Sequence, residues 1–222
     1  MKNKLTETKI MQALDYVYDK ATTGVLGTDS CYDLAEEYLK TDGPLEAQVK
    51  SLIRWQNTKA STAGFMAGLG GLLLMPVTLP ANLSTVWYVQ IRMIATIAVM
   101  GGFDVKDDRV KTLIYTCLTG NAAKDILKST GINFGSKMTT QLVKSISGET
   151  IKAINKAVGF RLLTKFGEKG VINLGKMVPI AGGIIGAAFD GVSTNIIGNI
   201  ATKTFIASSP LNATVIESST EA

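Results

Sequence analysis

Apolar positions recur at helical spacing along almost the whole chain, and little of it alternates as a half-buried strand would. Ile10, Leu14, Val17, Tyr18 and Ala21 share one face of a first helix that ends near Gly24 to Gly27. Asp29 or Ser30 can cap a second helix carrying Leu34, Tyr38 and Leu39, stopped by Asp42-Gly43-Pro44. Pro44 suits the first turn of a third, where its missing N–H is unpaired anyway, with Leu45, Val49, Leu52 and Ile53 on one side. Pro76 and Pro80 interrupt helix, which resumes from Ala81 to Met100 and stops at Gly101-Gly102. Caps within Asp104 to Asp108 open a helix through Ile114, Leu118 and Ile126, with Gly120 as a candidate dividing point. Gly131 and Gly135 break the pattern before Met138, Leu142, Val143 and Ile146, and Ile151, Ile154 and Val158 continue it. GFRLLTKFGEKGVINLGK reads as a glycine-punctuated connector into apolar helix from Pro179 to about Phe205. The expected fold is all-α: one compact bundle over residues 1–206, followed by a polar, flexible tail over 207–222.

Two segments depart from this amphipathic style. Between Lys59 and Arg92 there is no charged residue, and MVPIAGGIIGAAFDGVSTNIIGNIAT near the C-terminus carries one acid, Asp190. A membrane span needs roughly 20 mostly apolar residues. Ala60 to Met75 is too short by that measure, and Ala81 to Met100 has Gln90 and Arg92 near its middle. A central arginine costs at least about 2.5–3.5 kcal/mol on insertion, and Asp190 carries a similar penalty. Burial in a protein core, or in an interfacial hairpin, is the cheaper expectation provided each charge finds a partner. Gly64, Gly68 and Gly71 form one small-residue stripe and Gly182 and Gly186 another, spacing that lets helix backbones approach closely or leaves a groove for lipid.

Composition sharpens the picture in three ways. The chain has 222 residues, 46% of them hydrophobic, and a net charge of +5. Much of that charge falls within residues 137–176, where Lys137, Lys144, Lys152, Lys156, Arg161, Lys165, Lys169 and Lys176 face only Glu149 and Glu168. A surface of that kind suits anionic partners. Cys31 and Cys117 are isolated, without metal-type spacing, and suit buried thiols in a reducing compartment. There is no histidine, no recurring acid pair and no phosphate loop, since GLGG lacks the Gly-Lys-Ser/Thr ending. The expectation is therefore a non-enzymatic protein with no metal and no cofactor. Nucleic acid is not an expected partner, because the basic stretch has little aromatic interleaving.

The stretch STAGFMAGLGGLLLMPVTLPANLSTVWYVQIRMIATIAVMGGFD, with its proline pair, ANL step and Gln-x-Arg-Met-Ile helix, resembles the EcsC family. So does NKAVGFRLLTKFGEKGVINLGKMVPIAGGIIGAAFDGVSTNIIGNIA, and the two together cover most of residues 57–206. The resemblance implies a membrane-associated helical protein without a catalytic signature. The family takes its name from a gene of a bacterial ABC-exporter operon.

Arg92 and Asp190 lie in otherwise uncharged helices, and a mutual salt bridge would answer both burial problems. In the functional reading Asn82, Gln90 and Arg92 meet the head group of a lipid while the glycine-lined helices hold its tail. Gln90 and Arg92 are about 200° apart round a helix, so one cavity receives at most one of them. Lys165, Lys169 and Lys176 are expected at an anionic membrane surface. The chain thus reads as a lipid- or apolar-ligand-binding protein, or one docked on the inner face of the cell membrane from the cytoplasm. The competing readings are an accessory module that uses its glycine-rich helices against a transporter or itself, and an integral membrane protein.

Overall fold

A computed structural model describes residues 5–25, 27–60, 81–132, 140–166 and 182–206; the side chains at 59, 60, 81, 82, 140 and 182–192 fall outside that description. Among the described residues all regular structure is helical, so the fold is all-α. Helix α1 (Glu7–Thr23) starts where Thr6 accepts the Lys9 N–H, and it buries Ile10, Leu14, Val17, Tyr18 and Ala21. Helix α2 (Cys31–Leu39) is set by a reciprocal cap between Ser30 and Asp33. It buries Leu34 and Tyr38 but leaves Leu39 44% exposed, against the sequence expectation. The reason is angular: five positions after Leu34 is about 140° round the helix. Helix α3 (Leu45–Ala60) buries Val49, Leu52 and Ile53. Pro44 stands one place before it, its carbonyl accepting the Ala47 and Gln48 N–H groups.

Helix α4 (Ala81–Met100) is the axis of the bundle. From Trp87 to Ala98 every residue is buried, because α1, α2 and α3 surround it together with α5 (Asp108–Leu118) and α9 (Gly182–Phe205). A helix buried all round has no need of a polar face, which explains its nearly uninterrupted apolar text. It ends where Gly102, at φ +80°, lets the Phe103 N–H reach back to the Ala98 carbonyl at 3.0 Å. Among the described residues, Leu83–Met100 is the stretch long and apolar enough to cross a membrane, and 83% of it is buried inside the protein.

Asp107 caps α5, and Gly120 at φ +66° divides the following pattern into a 3₁₀ turn (Gly120–Ala122) and α6 (Ala123–Ser129). Short α7 (Thr140–Lys144) follows, then α8 (Gly148–Phe166), which packs on α1, α5 and α6. The sequence expectation of a connector from Gly159 onward is corrected here: GFRLLTKF is helix. Gly159 is buried in mid-helix because α1 passes close by, where an added Cβ would meet Met11 at 3.5 Å. Ile154, Val158 and Leu162 form one continuous buried ladder through it.

Helix α9 runs parallel to α4. Gln90 meets Thr194 and Gly101 meets Phe205, both pairs 104 positions apart. Close approach between helices is made at Gly101, where a Cβ would fall 2.5 Å from the Phe205 carbonyl, and at Gly198, where it would fall 2.8 Å from Ile53. The expected stripe of Gly64, Gly68 and Gly71 lies outside the described residues, and the surroundings of Gly182 and Gly186 are likewise not described.

Candidate functional site

Arg92 points from mid-α4 toward α2 and α3, and is 2% exposed. Its Nη1 donates to the Asp29 carbonyl at 3.4 Å and its Nη2 to Gln56 Oε1 at 3.3 Å. The guanidinium lies over the Tyr88 ring, 5.5 Å from its centroid, and the Tyr88 hydroxyl meets Thr28 Oγ1 at 2.6 Å. No carboxylate of the described residues pairs with it, and both Arg92 Nε and Gln56 Nε2 are buried without a hydrogen-bond partner. Two long bonds and a ring face are weak compensation for a desolvated cation.

Gln90, two positions earlier, faces the other way, its Nε2 donating to Thr194 Oγ1 of α9 at 3.1 Å. The structure does not bring Gln90 and Arg92 together; they serve different seams. The pairing of α4 with α9 sets the backbone of residue 190 level with residue 86, six residues and about 9 Å along the axis from Arg92. The side chains of Asp190 and Asn82 are outside the description, as are Lys169 and Lys176 altogether.

Lys165 belongs to a different place. Helix α8 buries Ile154, Val158 and Leu162 and turns Lys152, Lys156, Phe160 and Arg161 outward. Phe160 is 58% exposed, the most of the large hydrophobic side chains among the described residues. At about 100° per residue, Lys156 and Lys152 lie roughly 40° and 80° to one side of Phe160, and Arg161 roughly 100° to the other. Glu149 is the one acid of α8. Lys165 lies over the Phe166 ring at 4.9 Å, and Phe166 packs edge-on against Trp87 at 5.8 Å, which ties the end of α8 to α4. Sequence reasoning counted these cations but missed Phe160. The signal was present: the Ile154, Val158 and Leu162 ladder puts Phe160 about 200° from Leu162, away from the core.

Arg161 and Lys165 also wall a cleft of about 220 Å³, closed on the other sides by the 3₁₀ turn with Asn121 and Ala122 and by Ser193 and Ile196 of α9. A second cleft, about 430 Å³, lies between Lys50 and Arg54 of α3 and Asn195 and Asn199 of α9. Neither has a carboxylate among its described lining residues.

Burial raises the thiols and several phenols elsewhere in the core. Burial pushes the Cys31 thiol up to about 12, with neighbouring Arg92 pulling the other way, and burial pushes Cys117 up to about 12. Burial also raises the phenols of Tyr18 and Tyr115, the latter aided by Asp15, which accepts the Tyr115 hydroxyl at 2.8 Å. Groups held in their neutral form are poor nucleophiles. No cluster of metal-ligating side chains occurs among the described residues.

The fold and these surfaces define an all-α protein with a largely buried, mostly apolar axial helix and a basic, aromatic-tipped outer helix. The chain belongs to the EcsC protein family, whose model matches residues 2–206. The match extends the resemblance, carried in the sequence by residues 57–206, back through α1, α2 and most of α3. No curated protein and no solved structure matches the chain.

Proposed function

We propose that this protein is a non-enzymatic lipid-binding protein that docks peripherally on an anionic membrane through the outer face of α8. One observation carries the reading: a largely exposed Phe160 set among Lys152, Lys156 and Arg161 on a helix whose opposite face is buried. Each cation near an anionic surface contributes about 1 kcal/mol of attraction. With 58% of its surface still exposed, Phe160 adds about 1–2 kcal/mol when buried. Neither alone holds a protein on a membrane; together they give reversible docking that depends on both lipid charge and salt. The solvated alternative, a helix face kept basic for solubility, explains the lysines, and a lone exposed aromatic is ordinary on a protein surface; docking is favoured by Phe160 standing among cations on that one face.

Flotation on vesicles tests this. The protein is expected to float with phosphatidylglycerol–phosphatidylcholine vesicles at low salt, and to stay behind with phosphatidylcholine alone or at high salt. Phe160→Ser, and Lys152→Glu with Lys156→Glu, should each weaken binding tenfold or more. Equal flotation on neutral and anionic vesicles, or wild-type behaviour from both variants, would refute docking by this face.

A further inference from the structure

We infer that the cleft between α8, the 3₁₀ turn and α9 is a binding site for a phosphate monoester. Arg161 and Lys165, four residues apart on α8, both line the cleft, and the Lys165 ammonium also lies over the Phe166 ring at 4.9 Å. Arg161 makes no ion pair with the described residues. Asn121 of the 3₁₀ turn and Ser193 of α9 also line the cleft, and both carry neutral side-chain donors. Thr119 also lines the cleft, but its hydroxyl already donates to the Thr116 carbonyl at 2.7 Å, leaving only acceptor capacity. A lining drawn from three elements that combines a forked guanidinium, a point-like ammonium and neutral donors suits a tetrahedral oxyanion with several acceptor atoms better than a flat carboxylate.

Ala122 and Ile196 add an apolar flank to the cleft. The volume of about 220 Å³ accommodates a phosphate with a short organic group attached. Arg161 stands about 100° round α8 from Phe160, so a protein seated by Phe160 holds the cleft at the flank of the docked face, beside the head-group layer. The site itself stands on its own lining; only the lipid origin of the phosphate rests on the proposed docking.

Glycerol 3-phosphate, titrated without membranes and followed by the backbone amide resonances of Gly120, Asn121 and Ser193, tests the site. Saturable shifts are expected at those amides. Arg161→Gln should weaken the affinity tenfold or more, while Lys50→Gln with Arg54→Gln, in the second basic cleft, should leave it unchanged. No saturable shift, or equal affinity in Arg161→Gln, overturns the proposal. Asn121→Asp, which puts a negative charge in the cleft, gives an independent check and should also abolish binding. A second arm compares flotation on phosphatidic acid and phosphatidylserine vesicles of matched charge. Preference for phosphatidic acid that disappears in Arg161→Gln assigns the phosphate to a lipid head group. Glycerol 3-phosphate binding without that preference assigns it to a soluble phosphoester, and leaves the docking reading to its own test.

Discussion

Arg92 is the residue whose energetics depart furthest from its surroundings. A cation 2% exposed with two long hydrogen bonds carries a desolvation penalty of several kcal/mol that a ring face and two carbonyl-type acceptors offset only in part. Replacing a buried ion by apolar side chains of similar volume is often neutral or stabilising by about 1–4 kcal/mol. Arg92→Met alone leaves the fully buried Gln56 amide without its partner, at about 1–3 kcal/mol. Arg92→Met combined with Gln56→Leu removes both problems. In urea denaturation the double variant is expected at or above wild type, with the Arg92→Met single below the double. A double variant several kcal/mol less stable than wild type would mean that the guanidinium is compensated in a way these contacts do not account for. The sequence marked Arg92 as a buried charge, because an arginine in an uncharged helix announces itself. It could not supply Gln56 or the Asp29 carbonyl, which reach Arg92 only through the packing of α2 and α3 on α4.

At the scale of elements, the bundle depends on a few places where helices come close. At Gly198 an added Cβ would sit within about 3 Å of three Ile53 side-chain atoms. Ile53 is buried and β-branched, so it has no easy rotamer to move into. Overpacking of this kind costs about 1–3 kcal/mol, more than the roughly 0.5–1 kcal/mol that alanine gains over glycine inside a helix. Gly198→Ala is therefore expected to destabilise, and in a double-mutant cycle Ile53→Ala should relieve much of the loss. Additive effects of the two changes would show that the α3–α9 contact is not what limits residue 198. Gly101→Ala should be worse, since its Cβ would meet the Phe205 backbone carbonyl, which no side-chain rotation relieves. The helix pattern was legible from periodicity, yet neither of these contacts was. Close approach is a property of a pair of helices, and a single chain's spacing does not say which glycines meet a neighbour. The same limit explains why α8 read as ending near Gly159: the glycine that suggests a break is the one that admits α1.

For the whole molecule, the buried axis and the basic outer helix separate two roles that the sequence presents together. The apolar text of α4 is spent on the core, with 83% of Leu83–Met100 buried, so within the described residues it is not surface for lipid contact. On the outer face of α8 the most exposed of the described large hydrophobic side chains stands among cations. Charge clustering made the basic region visible in the sequence. Its outward face could be read from the Ile154, Val158 and Leu162 ladder, but which helices cover that ladder only the fold supplies. The most direct measurement places a reporter at the tip of this face. In a Trp55→Phe background, where the remaining tryptophan, Trp87, is buried, Phe160→Trp is mixed with anionic vesicles whose acyl chains carry bromine. The account predicts that tryptophan emission moves to shorter wavelength and is quenched by the brominated chains as the protein binds. Unshifted, unquenched emission from residue 160 on vesicles that carry the protein would contradict it.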